Sequence, residues 1–213
     1  MNISNNKGIP MAVIRRMTRY YRYLLELEKA EVTKISSQAF ADKLYLTASQ
    51  VRQDFGYFGG FGHKGYGYDV MFLKDAVKNI LGINELKKCI LIGVGNLGTA
   101  ISSMDYNRVG FELIAVFDNN PDLENKIVRG HKVYPVGELE SFCEENKPEC
   151  AIICTSSSGV ETLARELYSY GIKNFWNFTH FNISSILDDV NVENVHLNDS
   201  MMTLRFLMEQ NDL

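Results

Sequence analysis

The stretch "CILIGVGNLGTA" (Cys89–Ala100) runs an apolar segment straight into a glycine spacing, and its reading decides the fold. Gly93, Gly95 and Gly98 form G-x-G-x-x-G directly behind a strand-like run and at the opening of a helical one. The first glycine permits a tight turn, the second lets backbone approach a pyrophosphate, and the third lets helix pack closely on strand. The helix N-terminus then faces the phosphates. Such a spacing alone is weak evidence. It gains weight from Asp118, which ends the next apolar run, "LIAVFD", twenty residues after Gly98. A carboxylate there accepts hydrogen bonds from a ribose diol and repels a 2′-phosphate, which favours NAD over NADP.

Outward from this motif the chain keeps one rhythm. "KKCILIG", "FELIAVFD", "CAIICT" and "NFWNF" read as strands. "NLGTAISSMDY", "GELESFCEENK" and "GVETLARELYSYG" read as the helices between them, while "VRGHKVY" reads as a polar loop. Alternating strands and helices imply a parallel sheet covered on both faces, a Rossmann-like α/β domain. The rhythm begins at Lys87, so a boundary is expected near Gly82–Leu86, giving domains 1–84 and 85–197. A third segment, 198–213, contains "DSMMTLRFLMEQ", a helix apolar nearly all round, at Met201, Met202, Leu204, Phe206, Leu207 and Met208. A helix of that kind needs cover from more than one side, and a second copy of the chain is the economical source. A homodimer is expected.

Upstream of Lys87 the periods are helical. "AVIRRMTRYYRYLLELEKA" places apolar residues at helical spacing, with Arg15, Arg16, Arg19 and Arg22 on the other face. "SSQAFADKL" follows with Ser36 or Ser37 as N-cap, then Thr47 as the cap of "ASQVRQDFGYF". Glycines at 59, 60, 62, 65 and 67 punctuate a hairpin before the helix "DVMFLKDAVKNILGI", which Gly82 should stop. Helix, short helix, turn, helix, hairpin is the order of a winged helix-turn-helix. A recognition helix needs polar side chains that reach base edges, and "TASQVRQDF" offers Thr47, Ser49, Gln50, Arg52 and Gln53. Arg52 suits bidentate contact with guanine, and Arg15 and Arg16 of the first helix are further expected DNA contacts. His63 and Lys64 stand at the wing tip, where a narrow minor groove favours a cation. Without the preceding helices the hairpin would read as an interdomain connection.

The overall net charge of −4 argues against nucleic acid, but its distribution does not. Residues 1–64 hold ten Lys/Arg and five Asp/Glu, net +5; the other 149 hold twelve and twenty-one, net −9, and the two sum to −4. A basic N-terminal part on an acidic body suggests different partners for the two domains. The opening "MNISNNKGIPMAVIRRM" shows neither a long apolar segment nor a cleavage site, and no run approaches the ~20 residues of a membrane span. No signal peptide, no membrane and a cytoplasmic location are expected. The four cysteines form no C-x-x-C pair and read as small buried hydrophobes, with a thiol switch the alternative; no metal site is expected.

Catalysis finds little support. A dehydrogenase needs a substrate domain, and too little chain remains after the N-terminal domain to build one. His180, behind "NFWNFT" at a strand's carboxyl end, is the histidine best placed to act as an acid or base. Binding without turnover is the expectation. A small NAD-dependent oxidoreductase using His180 is one alternative. A regulator that binds another nucleotide, such as coenzyme A, is a second.

The chain resembles the Rex family of redox-sensing transcriptional repressors. The likeness runs through "IPMAVIRRM", "RYYRYL", "ISSQAFADKL", "TASQVRQDF", "YFGGFG", "KGYGYDV", "LIGVGNLGTA", "FDNNP", "GIKNFWNF" and "VENVHL". The resemblance implies a homodimer that binds palindromic double-stranded operator DNA through the winged helix and senses the NADH/NAD⁺ balance through the Rossmann domain. It further implies a C-terminal helix swapped into the partner near the nicotinamide, and repression lifted by NADH. By position, Gly93, Gly95, Asn96, Leu97 and Gly98 would hold the pyrophosphate, and Asp118 the adenosine ribose. Thr155 would lie by the nicotinamide, Leu197 would approach it from the swapped segment, and Arg16 would belong to an interdomain network. The family usually has Thr-Val-Pro where this chain has "TSS" (Thr155–Ser157), Pro at His180, and at His196 an Asp that would pair with Arg16 in one state. These departures bear on the strength and redox selectivity of sensing.

Overall fold

Helix α1 (Met11–Lys29) exists because Val13, Met17, Tyr20, Leu24 and Leu27 recur at three- and four-residue intervals and bury one face. The computed structural model describes residues 8–61, 67–156 and 158–210, and divides into two units, Met1–Asn84 and Glu85–Leu213. In the first unit α1 leads to β1 (Lys34–Ile35), an element the sequence pattern does not announce. α2 (Ser37–Lys43) opens at Ser36, whose Oγ accepts the N–H of Ala39 at 3.0 Å. α3 (Ala48–Gly56) opens at Thr47, whose Oγ1 accepts the N–H of Gln50 at 3.1 Å.

The short strand β2 (Tyr68–Asp69) pairs antiparallel with β1, Ile35 opposite Tyr68. Gly67, at φ +71°, is required there: a Cβ would lie 2.7 Å from the carbonyl oxygen of Ile35. Residues 62–66, the expected wing tip with His63 and Lys64, lie outside the described residues. α4 (Val70–Leu81) is capped by Asp69 and, as the sequence predicts, stops at Gly82, φ 69°. The core gathers Tyr20, Phe40 and Phe55, with ring centroids 5.3 Å apart for the first pair and 5.4 Å for Tyr20 and Phe55.

The second unit is built on β3 (Lys87–Ile92), α5 (Asn96–Ile101), β4 (Phe111–Asp118), β5 (Ile127–Val128), β6 (His131–Pro135), α6 (Leu139–Asn146), β7 (Cys150–Ile153), α7 (Val160–Ser169), β8 (Asn174–Asn177) and β9 (Asn191–Asn194). The sheet order is β5-β6-β4-β3-β7-β8-β9, parallel throughout except for the β5–β6 pair. One apolar cluster around Ile90, Phe117 and Phe175 covers one face, and another around Leu91, Val116 and Ile152 covers the other, following the alternation along each strand. The chain steps from β3 to β4 and β6 on one side and returns to β7 and β8 on the other. This reversal opens a crevice at the carboxyl ends of β3 and β7.

Two expectations need correction here. The helix after the glycine loop was to reach Tyr106, but α5 ends at Ile101, where Ser102 and Ser103 turn their hydroxyls back onto the carbonyls of Thr99 and Ala100. A 3-10 turn, Tyr106–Val109, covers the remainder. The "VRGHKVY" loop is instead the β5–β6 hairpin. Its two-residue turn places Arg129 at φ 52° and Gly130 at φ 89°, the left-handed pair that a tight hairpin favours. The last helix, α8 (Leu197–Gln210), buries none of its residues, and Leu197, Met201, Met202, Leu204, Phe206, Leu207 and Met208 stand 52–66% exposed.

Candidate nucleotide crevice and nucleic-acid helix

The three glycines behind β3 do three different things. Gly93, at φ +97°, passes so close to β7 that a Cβ would lie 2.8 Å from the carbonyl carbon of Cys154. Gly98 lets α5 rest on the strand end, since a Cβ there would come within 1.8 Å of the carbonyl oxygen of Gly93. Gly95 has nothing within 4 Å of its Cβ position, so the space in front of it is open to a ligand. Asp118 closes the loop from β4: its Oδ2 accepts the N–H of Val94 at 2.6 Å and its Oδ1 accepts the N–H of Asn120 at 2.8 Å.

A cavity of about 420 Å³ joins Gly93, Gly95, Asp118 and Thr155, with Thr162 and Glu166 of α7 on its far wall. The topology thus brings these four predicted residues together. Asn96, Leu97 and Gly98 lie outside the cavity lining, in α5. Leu197 does not line it either, and stands exposed as the first residue of α8. Ser156, at the resemblance's Val position, lines the cavity together with Ser158, their Oγ atoms 3.2 Å apart, while Ser157, at its Pro position, lies outside the described residues. An open glycine, a dipolar helix start and a loop acid one strand away fit the donor and acceptor needs of a dinucleotide.

His180 does not line the crevice. It lies against His196, ring centroids 5.3 Å apart, and His196 Nε2 lies 3.3 Å from the carbonyl oxygen of Thr179. The thiols are poor sensors. Burial pushes Cys89, Cys150 and Cys154 up to about 12 and Cys143 up to about 11, away from the thiolate that reacts. Among the described residues, no cluster of three or more His, Cys, Asp or Glu could hold a metal ion.

In the first unit, α3 buries Val51, Asp54 and Phe55 and turns Ser49, Arg52 and Gln53 outward. Those three are spaced i, i+3, i+4, a single polar stripe. Arg52 Nη1 donates to Ser37 Oγ at 3.0 Å, at the surface. Arg15 is exposed on α1. Three residues predicted to contact DNA have other partners. Thr47 uses its hydroxyl oxygen as the α3 cap. Arg16 Nε and Nη2 donate to Asp54 Oδ2 and Oδ1 at 2.6 and 2.8 Å, and Gln50 Nε2 donates to Asp54 Oδ1 at 2.8 Å. Arg16 and Gln50 thus share one buried carboxylate as partner. Tyr20 adds its O–H to Oδ2 at 2.6 Å. Burial pushes the Asp54 carboxyl up, but the hydrogen bonds from Arg16, Tyr20 and Gln50 outweigh it and hold the group below its ordinary range. Asp54 was missed by the sequence reading; the available signal was a lone carboxylate inside an apolar stripe with Val51 and Phe55.

Residues 8–56 match a family described as a putative DNA-binding protein N-terminus, and residues 84–181 match a family described as a CoA binding domain. The chain is 42% identical over 212 residues to a redox-sensing transcriptional repressor Rex of Clostridium perfringens (strain SM101 / Type A), covering 99% of this chain and 100% of that one. It is 40% identical over 207 residues to the Rex repressor of Clostridium novyi (strain NT), covering 97% and 98%. Its fold matches the crystal structure of RSP in complex with β-NAD⁺ and operator DNA, with a TM-score of 0.89, 41% identity and coverage of 96% and 94%. RSP in complex with β-NADH matches with a TM-score of 0.88, 39% identity and 96% coverage of both chains.

Proposed function

The chain belongs to the Rex family of redox-sensing transcriptional repressors, and we propose that it binds operator DNA and leaves it when NADH binds. The observation that carries this reading is the pairing, in one chain, of an outward Ser49–Arg52–Gln53 stripe with a crevice where Gly95 lies open beside Asp118. On this reading Ser49, Arg52 and Gln53 face base edges, and Arg15, His63 and Lys64 supply cations to the backbone and minor groove. Gly93, Gly95, Asn96, Leu97 and Gly98 hold the pyrophosphate, Asp118 the adenosine ribose, and Thr155 the nicotinamide side. The nicotinamide supplies a charge that differs between its oxidised and reduced forms. A ring packed against an apolar residue such as Leu197 of a second copy would carry the cationic form less well, which favours NADH.

A dimer in which α8 of each copy packs on the other supports the same reading, because the exposed apolar residues of α8 need cover and Leu197 leads into it. Two recognition helices in such a dimer must lie about one turn of DNA (~34 Å) apart or a multiple of it, and a ligand changes that spacing only by binding one arrangement better. Turnover is not part of this reading, and His180, the acid or base that an oxidoreductase reading would use, faces His196 rather than the cavity. The cytoplasm, where both DNA and the NADH pool are found, is its place of action. Coenzyme A is the weaker ligand: the phosphate on its adenosine ribose would face the Asp118 carboxylate. The deciding experiment titrates an operator–protein complex separately with NADH, NAD⁺ and coenzyme A. Release by NADH at far lower concentration than by the other two is expected, and equal potency of NADH and NAD⁺ would overturn the redox reading.

A further inference from the structure

Asp54 is fully buried on the same helix that turns Ser49, Arg52 and Gln53 outward. A carboxylate out of water is costly unless it is paired and fully hydrogen-bonded. Here four donors converge on its two oxygens: Arg16 Nε and Nη2, the Tyr20 hydroxyl and Gln50 Nε2. Three of the four come from α1, so the carboxylate joins two helices whose paired residues lie 34 and 38 positions apart in sequence. Arg16 grips both oxygens, a fork geometry that fixes direction as well as distance. Tyr20 is fixed in its turn by Phe40 and Phe55.

We infer that Asp54 is a positioning residue for sequence reading: with Arg16 and Tyr20 it sets the roll of α3 and so decides which stripe meets the bases. It also draws Gln50 inward, leaving direct reading to Ser49, Arg52 and Gln53. Bidentate contact with a base edge tolerates little misplacement, whereas attraction to phosphates tolerates much. Loosening the Asp54 joint therefore costs selectivity before it costs general DNA affinity. The inference rests on the repressor reading above, and the two fail in different ways.

The test measures affinity for operator and for an unrelated duplex of equal length, at one salt concentration, with thermal melts of each variant. Tyr20→Phe removes one donor and keeps the ring; Asp54→Asn removes the charge. Both are expected to lower the operator-to-unrelated ratio about tenfold or more, the scale of one good base contact, while binding to the unrelated duplex stays within about twofold. Gln50→Met is expected to lower operator affinity without relaxing preference at any single base pair in a substitution scan. A wild-type protein that shows no operator preference overturns the repressor reading itself. A discriminating wild type whose Tyr20→Phe variant is less stable but equally selective reduces Asp54 to a fold-stabilising ion pair and overturns the inference. Tyr20→Phe decides the matter if Asp54→Asn fails to fold. Loss of preference at one base pair in Gln50→Met overturns the assignment of Gln50.

Discussion

Asp118 Oδ2 accepts the backbone N–H of Val94 at 2.6 Å, so the residue expected at the ribose also latches the glycine loop to β4. Removing it does two things at once. Asp118→Ala should weaken NADH binding and also lower the stability of the nucleotide-free protein by about 1.5–3 kcal/mol, the range for a hydrogen bond to a charged group. Operator binding without nucleotide should stay near wild type. Calorimetry on both ligand-free proteins checks the latch, and a mutant that answers NADH at wild-type concentrations removes Asp118 from the ribose site.

The glycines can be separated by experiment. Gly98→Ala drives a Cβ into the carbonyl of Gly93 and should destabilise the second unit by about 1–3 kcal/mol or more. Gly95→Ala meets no protein atom within 4 Å, so its melting temperature should hold while nucleotide affinity falls. Equal destabilisation by both substitutions would mean that Gly95 serves the fold and not a ligand.

Arg52 and Lys64 should differ in kind. Arg52→Ala is expected to cost about 1–3 kcal/mol on operator and to relax base preference. Lys64→Ala should weaken all duplexes alike and reduce the salt slope by about 1. Binding isotherms across a salt series distinguish them, and the same loss of selectivity in both would erase the division between helix and wing.

The Asp54 joint has a pH signature. Its folded carboxyl sits below the reference value of 3.8, so its contribution is fully present above the unfolded pKa. That contribution is lost as pH falls through the lower, folded value. Amide exchange in α1 and α3 of the full chain should therefore accelerate as pH is lowered from 5 towards 3, after correction for intrinsic rates. The Asp54→Asn variant should lack that part of the acid dependence. Identical acid dependence in both proteins would show that the carboxylate is not what acid titrates.

Ending the chain at Asn198 removes nearly all of α8, including Met201, Leu204, Phe206 and Met208. The expected product is a monomer, or an aggregate if the surface that α8 covers is left bare. Light scattering that finds a soluble dimer of the shortened chain would exclude α8 as the dimer contact.

What the sequence determined is what short-range chemistry determines. The spacing of Val13, Met17, Tyr20 and Leu24 makes α1, because a helix repeats every 3.6 residues whatever surrounds it. Ser36, Thr47, Asp69 and Gly82 mark helix ends because caps are made within a few residues. Gly93, Gly95, Gly98 and Asp118 were legible for the same reason, as a spacing along strand, turn and strand. The β5–β6 hairpin was equally local, and was missed because Arg129 hides a left-handed turn position that Asn or Gly would have advertised. Only tertiary structure decided that β1 meets β2, that His180 faces His196, and that Arg16 and Gln50 turn to Asp54. Apart from Gln50, one turn before Asp54 on α3, those partners lie on different elements or well apart in sequence, and Arg16 meets Asp54 because burying the apolar faces of α1 and α3 leaves a carboxylate in the core that must be paired.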